Sequence, residues 1–207
     1  PDAVEKVVER LHDLYLSLDF EFPMPDRTDN VISIELPDKA KPIYQQMENN
    51  YMTWVKGKKV YAPHGGAAQM KLRQIVSGFA YDANGEPVDL LDDYRLQLLK
   101  DLVEEQNGQP IIIIYEFKAQ LALMRKAWPA MRWIGGGSTG DDKTIEDWNA
   151  GKVEILGLHP YSAGHGLNLQ YGGGCALGWW QIPDDLESYD QTIARLARRG
   201  QKFERVF

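Results

Sequence analysis

A single cysteine in 207 residues, Cys175, rules out an internal disulfide and fits a reducing compartment. His12, His64, His159 and His165 show no zinc-site spacing with it, so no metal site is expected. There is no run of about twenty apolar residues and no signal-peptide pattern, which argues against a membrane span or secretion and for the cytoplasm. The chain starts at Pro1 without methionine, as a fragment or a processed product does. No Gly-x-x-x-x-Gly-Lys-Ser/Thr loop occurs; Gly135-Gly-Gly-Ser-Thr-Gly140 lacks the lysine and runs into Asp141 and Asp142. No Asp-Glu-x-His box occurs either. A self-contained P-loop ATPase is therefore excluded. The formal charge of −7 argues against a general nucleic-acid coat protein, but it leaves room for local basic clusters such as Arg195 to Arg205.

Charged residues make up 26%, and no segment is of low complexity, which is a globular composition. Apolar residues at Val4, Val7, Val8, Leu11, Leu14, Tyr15 and Leu18 predict an amphipathic helix over residues 3–18. Val31–Leu36 alternates like a strand, residues 40–54 look helical, and Lys56–Gly66 is turn-rich, an exposed loop or hairpin. Gln69–Gly78 reads as a helix, Asp82-Ala-Asn-Gly85 as a hairpin turn, and residues 91–106 as another helix. The last hundred residues then alternate regularly. Strands are expected at Pro110–Tyr115, Met131–Ile134, Val153–Leu158 and Cys175–Trp179. Helices are expected at Lys118–Ala127, Thr144–Ala150 and Ser188–Arg199. That alternation predicts an α/β fold with a parallel sheet, and ligands then lie at the carboxyl ends of the strands.

Two constellations sit at such ends. Arg195 and Arg198, three apart on an expected helix, can address one anion, with Gln191 a turn earlier and Gly200 ending the helix. A basic solvated face fits the same pattern about as well. After the strand ending at Leu158, Gly164 and Gly166 flank His165 and lead to Asn168. Glycines at that spacing expose backbone amides to phosphate or ribose, though a plain tight turn reads alike. Adjacent carboxylates at Asp92-Asp93, Asp141-Asp142 and Asp184-Asp185 are read as capping and solvation, and Trp179-Trp180 as core and cleft lining.

Taken in order, Ser162-Ala-Gly-His-Gly-Leu-Asn-Leu-Gln170 followed by Gln191-x-x-x-Arg195-x-x-Arg198-x-Gly200-Gln201 resembles motifs five and six of the Swi/Snf-type DNA translocases of helicase superfamily two. The wording is most like the compact phage and prophage versions. Ile111–Phe117 resembles the motif-four strand, and Gly137-Ser138-Thr139 the loop after the next strand. Ile34-Glu-Leu-Pro37 with Tyr44 is similar to the segment leaving the first lobe. The chain departs from the family pattern at His159, Gly136 and Glu116.

The resemblance implies a RecA-like parallel sheet flanked by helices over 68–207, preceded by a mainly helical inter-lobe segment over 1–67. It implies that Arg195 and Arg198, with Gln191, complete an ATP site across the inter-lobe cleft as arginine fingers. Gly164, Gly166 and Asn168 would couple nucleotide to DNA, and Ser138, Thr139, Tyr115 and His165 would touch DNA. ATP and Mg would be held mainly by an N-terminal RecA-like lobe, double-stranded DNA would be the partner, and this chain alone would be inactive. A nonenzymatic DNA-binding or regulatory module is the alternative. A flavodoxin-like nucleotide enzyme is disfavoured, because Tyr115-Glu-Phe-Lys118 is no phosphate loop.

Overall fold

The computed structural model describes residue 6 and residues 24–89, 94–138, 141–164 and 166–207. The helix expected over residues 3–18 lies outside them apart from Lys6, as do Thr139 and His165.

The centre is the strand β6, Ile111–Ile114, whose four isoleucines are all buried. Alternate side chains leave a strand on opposite faces, and here both faces are covered, so the run carries no polar residue. Ile111 and Ile113, with Tyr115, pack against Leu96 and Leu99 of one helix (α3, Tyr94–Glu105) and Leu121 and Met124 of another (α4, Lys118–Ala127). Ile112 and Ile114 face Trp148 of α5 (Asp141–Asn149), together with Leu169, Leu196 and Val206. Burial of each isoleucine contributes about 1.5–3 kcal/mol.

Around this strand the sheet runs β7 (Arg132–Ile134), β8 (Ile155–Leu158), β6 and β9 (Ala176–Trp179), all parallel. The α/β class with a parallel sheet between helices is thus observed. Phe207 brackets the outer edge of β9: its N–H donates to the Cys175 carbonyl, and its own carbonyl accepts from Leu177 N–H, both at 2.9 Å. Beside it, β10 (Arg205–Val206) pairs in parallel with β1 (Asp26–Arg27). Arg27 fastens that strand to the last helix, α6 (Leu186–Ile193), over the Tyr189 ring and through Asp190.

Ahead of the sheet, α1 (Lys41–Asn50), the hairpin β2–β3 (Met52–Val55, Lys58–Tyr61), α2 (Gly65–Val76) and the hairpin β4–β5 (Phe79–Tyr81, Pro87–Asp89) share a second core. Met47, Val55, Val60, Ala68, Ile75 and Val88 form it, so packing is continuous across residue 67. The stretch expected to be helical over residues 40–54 divides at Tyr51, whose φ of 55° ends α1 and turns the chain into β2.

Two expectations are corrected. Val31–Leu36 forms no strand; Val31 is 82% and Ile32 53% exposed, because the alternation finds no neighbouring ladder. The last helix ends at Ile193, not Arg199. Beyond it the backbone tightens into turns, with Arg195 N–H donating to the Thr192 carbonyl at 3.1 Å and Leu196 N–H to the Ile193 carbonyl at 3.0 Å. Leu196 is thereby driven fully into the core, which a continued α-helix need not do.

Candidate functional site

At the carboxyl ends of the strands stand Tyr115 after β6, Gly135 after β7, His159 after β8 and Trp180 after β9. Tyr115 is 1% exposed, and its hydroxyl donates to the carbonyls of Ile134 at 3.2 Å and Gly135 at 3.0 Å. The side chain therefore braces the turn after β7 from below and does not face solvent. Burial pushes its phenol well above the usual range. That turn needs glycine. Gly135 and Gly136 have φ of 82° and 64°, and a Cβ on Gly135 would lie 2.1 Å from Ser162 Oγ. Ser138 Oγ accepts from Gly135 N–H at 2.8 Å and bonds Asp141, so its hydroxyl is used within the turn.

His159 lies edge-on to Tyr115, with Nε2 3.0 Å from the Glu116 carbonyl. Burial pulls its imidazole below the ordinary value, which outweighs the opposing effect of Glu116. The neutral ring with a proton on Nε2 is then the form that donates to that carbonyl.

After the 3-10 turn Pro160–Gly164, the chain passes Gly166, whose φ is 70°, and Asn168 before Leu169 enters the core. Bonds from neighbouring segments hold this loop. Leu169 N–H donates to the Arg195 carbonyl at 3.2 Å, and Arg198 Nη1 donates to Asn168 Oδ1 at 2.9 Å. Asn149 Nδ2 donates to the Asn168 carbonyl at 2.9 Å. The glycine loop and the two arginines are therefore one surface, although the arginines sit on turns and not on a helix face. Arg195 is half-buried and Arg198 exposed. Burial, then the neighbouring Arg198, pulls the Arg195 guanidinium below its ordinary value, yet an arginine stays charged. Among the described residues, no carboxylate forms an ion pair with either arginine. Among the described residues, Arg195 Nε, Gln170 Oε1 and Asn149 Oδ1 are buried polar atoms with no hydrogen-bond partner, as are Arg73 Nε, Arg95 Nε and Trp180 Nε1 elsewhere. A group left so costs about 1–3 kcal/mol, which an incoming ligand can recover. Gln191 is exposed, its Nε2 donates to Glu187 at 2.8 Å, and among the described residues no hydrogen bond ties its side chain to the arginines.

Sequence reasoning missed a second polar cluster at the same end of the sheet. Arg73 of α2 pairs with Glu116, and with Asp184 at 3.1 Å; Gln181 Nε2 donates to Glu116 Oε2 at 2.7 Å. Ser77 bonds Gln181, and Gln120 joins Ser77 at 3.2 Å while capping the Glu116 and Phe117 amides at 2.8 and 2.9 Å. Only the departure at Glu116 signalled it. The cluster fixes α2, and with it the first core, to the sheet. A cavity of about 630 Å³ lies elsewhere, between α3, β9 and residues 29–34, and neither Arg195, Arg198 nor Asn168 lines it. Polar groups line it too, among them Arg95 and Gln181, and Arg95 Nε and Trp180 Nε1 are buried without a partner among the described residues. The arginine loop is the candidate site because, among the described residues, it alone pairs two arginines with the turn that follows β8 at the carboxyl end of the sheet.

No protein-family model matches the chain. It is 36% identical over 191 residues to "Putative protein p41" of Acyrthosiphon pisum secondary endosymbiont phage 1, an alignment covering 90% of this chain and 40% of that protein. The chain thus spans about two fifths of that relative's length. Among solved structures it is similar to the C-terminal part of the Fun30 ATPase domain, with a TM-score of 0.46 and 18% identity over 54% of this chain and 39% of that one. Among the described residues, no helix is long and apolar enough to cross a membrane.

Proposed function

We propose that this chain is the second motor lobe of an ATP-driven, DNA-stimulated translocase, and that its arginine loop is half of a nucleotide site. The observation that carries the reading is Arg195: a half-buried cation with no carboxylate partner and an unbonded Nε among the described residues, tied by its own carbonyl to the glycine loop. Two adjacent guanidiniums, without carboxylate partners among the described residues, fit a polyphosphate, because bonds to phosphate oxygens satisfy free guanidinium donors and relieve their mutual repulsion. The residues present do not fit a complete ATP site, since the lysine loop and acidic box are missing. ATP with Mg, held on a first lobe of a longer polypeptide, supplies the phosphoryl group and the metal.

Arg195 then approaches the developing negative charge across the cleft, and Arg198 orients Asn168 and the glycine loop behind it. Gln191, one helical segment away, serves at the rim of the cleft. Gly164, Gly166 and Asn168 couple the nucleotide site to DNA, and Ser138, Thr139 and His165 are the residues assigned to DNA backbone, Ser138 through its loop amide because its hydroxyl is engaged by Gly135 and Asp141. Tyr115 contributes by holding the Ser138 turn in place. The test is ATP hydrolysis by the full-length polypeptide with and without duplex DNA. Hydrolysis stimulated by DNA, and absent from this chain alone, supports the reading. A full-length protein with no DNA-stimulated hydrolysis refutes it.

A further inference from the structure

The hairpin β2–β3 presents two unlike faces. Inward, Thr53, Val55 and Val60 are buried, and Thr53 Oγ1 donates to Gln46 Oε1 at 2.8 Å, so the hairpin is fixed on α1. Cross-strand partners share a face, and the register pairs Trp54 with Lys59 and Met52 with Tyr61. The outer face is therefore Met52, Trp54, Lys59 and Tyr61. Trp54 is 58% and Tyr61 52% exposed, with Lys59 Nζ 5.6 Å above the Tyr61 ring. The tip is Lys56-Gly57, with φ of 47° and 77°, a tight turn that holds the exposed Lys56 at the end of the ribbon.

Charge marks what this face fits. Residues 52–61 carry three lysines and no carboxylate, in a chain of net charge −7. Asp82 neutralises Lys58 at 3.2 Å, which leaves Lys59 over the Tyr61 ring and Lys56 at the tip of the ribbon. Exposed aromatic rings on a rigid strand, interleaved with cations, match the alternation of bases and phosphates in a single strand. A buried duplex stack offers its base faces to no such ring.

We propose that the outer face of this hairpin binds single-stranded DNA, one base stacking on the Trp54 indole and adjacent phosphates lying against Lys59 and Lys56. The site is separate from the arginine loop, and only the choice of DNA over RNA rests on the motor reading.

The test is anisotropy of a fluorescein-labelled oligo(dT) 15-mer with the purified protein over a series of salt concentrations. Loss of one stacking contact in Trp54→Ala is expected to weaken binding about five- to a hundredfold, with Trp54→Phe retaining most of the affinity. Lys59→Gln is expected to reduce the slope of log affinity against log salt by about 0.7. Wild-type affinity in Trp54→Ala with an unchanged slope in Lys59→Gln overturns the proposal. An abasic oligomer of equal charge that binds as tightly as oligo(dT) also overturns it, and makes the face a site for acidic polymers or proteins. The motor reading is scored separately by duplex-stimulated hydrolysis, which can fail while oligo(dT) binding stands.

Discussion

Gly172→Ala is expected to destabilise the chain by several kcal/mol through one tryptophan. A Cβ at that position would lie 2.3 Å from Trp148 Nε1 and 2.5 Å from its Cε2. The indole has no space to retreat into: Trp148 is fully buried in the core formed with Ile112, Leu156 and Leu196. Its N–H donates to the Leu169 carbonyl at 2.8 Å, the residue whose own N–H holds the Arg195 carbonyl. Overpacking costs about 1–3 kcal/mol. Parting the buried indole N–H from the Leu169 carbonyl leaves that N–H unpaired and adds about 1–3 kcal/mol, so the two together amount to roughly 2–6 kcal/mol. Equilibrium urea unfolding followed by far-UV circular dichroism measures it without depending on the displaced indole. Gly151→Ala is the control, since nothing lies within 4 Å of its added Cβ and only the φ of 71° opposes it, for about 1–2 kcal/mol. A Gly172→Ala loss below about 0.5 kcal/mol, or no greater than that of Gly151→Ala, refutes the argument that Trp148 is pinned.

Glu116→Gln leaves Arg73 with Asp184 as its one carboxylate among the described residues, and because Asp184 and the Ile182 carbonyl still hold it, a loss of about 1–3 kcal/mol is expected in the same urea experiment; an unchanged midpoint would show that the cluster does not bind α2 to the sheet. His159, whose buried imidazole is held below its ordinary value of 6.5, binds its proton more readily when unfolded. Its contribution is therefore complete above that value and is lost as the pH falls below it, towards and through the folded-state value. Melting temperatures of His159→Gln should fall less steeply than wild type on that acid limb, and parallel curves would contradict the assignment. Asp185 caps α6 by accepting from Glu187 and Ser188 N–H at 3.2 and 3.0 Å, so Asp185→Ala should cost about 1 kcal/mol, read as a lowered urea midpoint.

What was legible in the sequence was what depends on short-range pattern. Four consecutive isoleucines satisfy burial on two faces inside a covered sheet, so β6 and its parallel neighbours are legible to within a residue or two. Val31–Leu36 has the same local quality as a strand, but a strand needs a partner, and no local signal reports one. The end of α6 is illegible for a related reason. Nothing between Ala194 and Arg199 breaks a helix; the turn is imposed by the Leu169 to Arg195 bond and by burial of Leu196. The association of the glycine loop with the arginines was visible only through the family resemblance, whereas Arg73, Gln120 and Gln181 around Glu116 come together from distant segments with ordinary spacing. Tyr115 was placed at the right end of its strand, but its side chain points into the core, which position alone does not reveal.

The central claim is that Arg195 stabilises charge on a nucleotide bound elsewhere. Its most direct test is hydrolysis by the full-length protein at saturating ATP and duplex DNA, with nucleotide affinity measured separately, for wild type, Arg195→Lys and Arg195→Ala. The account predicts a fall in turnover of about a thousandfold or more in Arg195→Ala, little recovery in Arg195→Lys, and affinity largely retained. Turnover unchanged in Arg195→Ala, or affinity lost while turnover at saturation is kept, would contradict it.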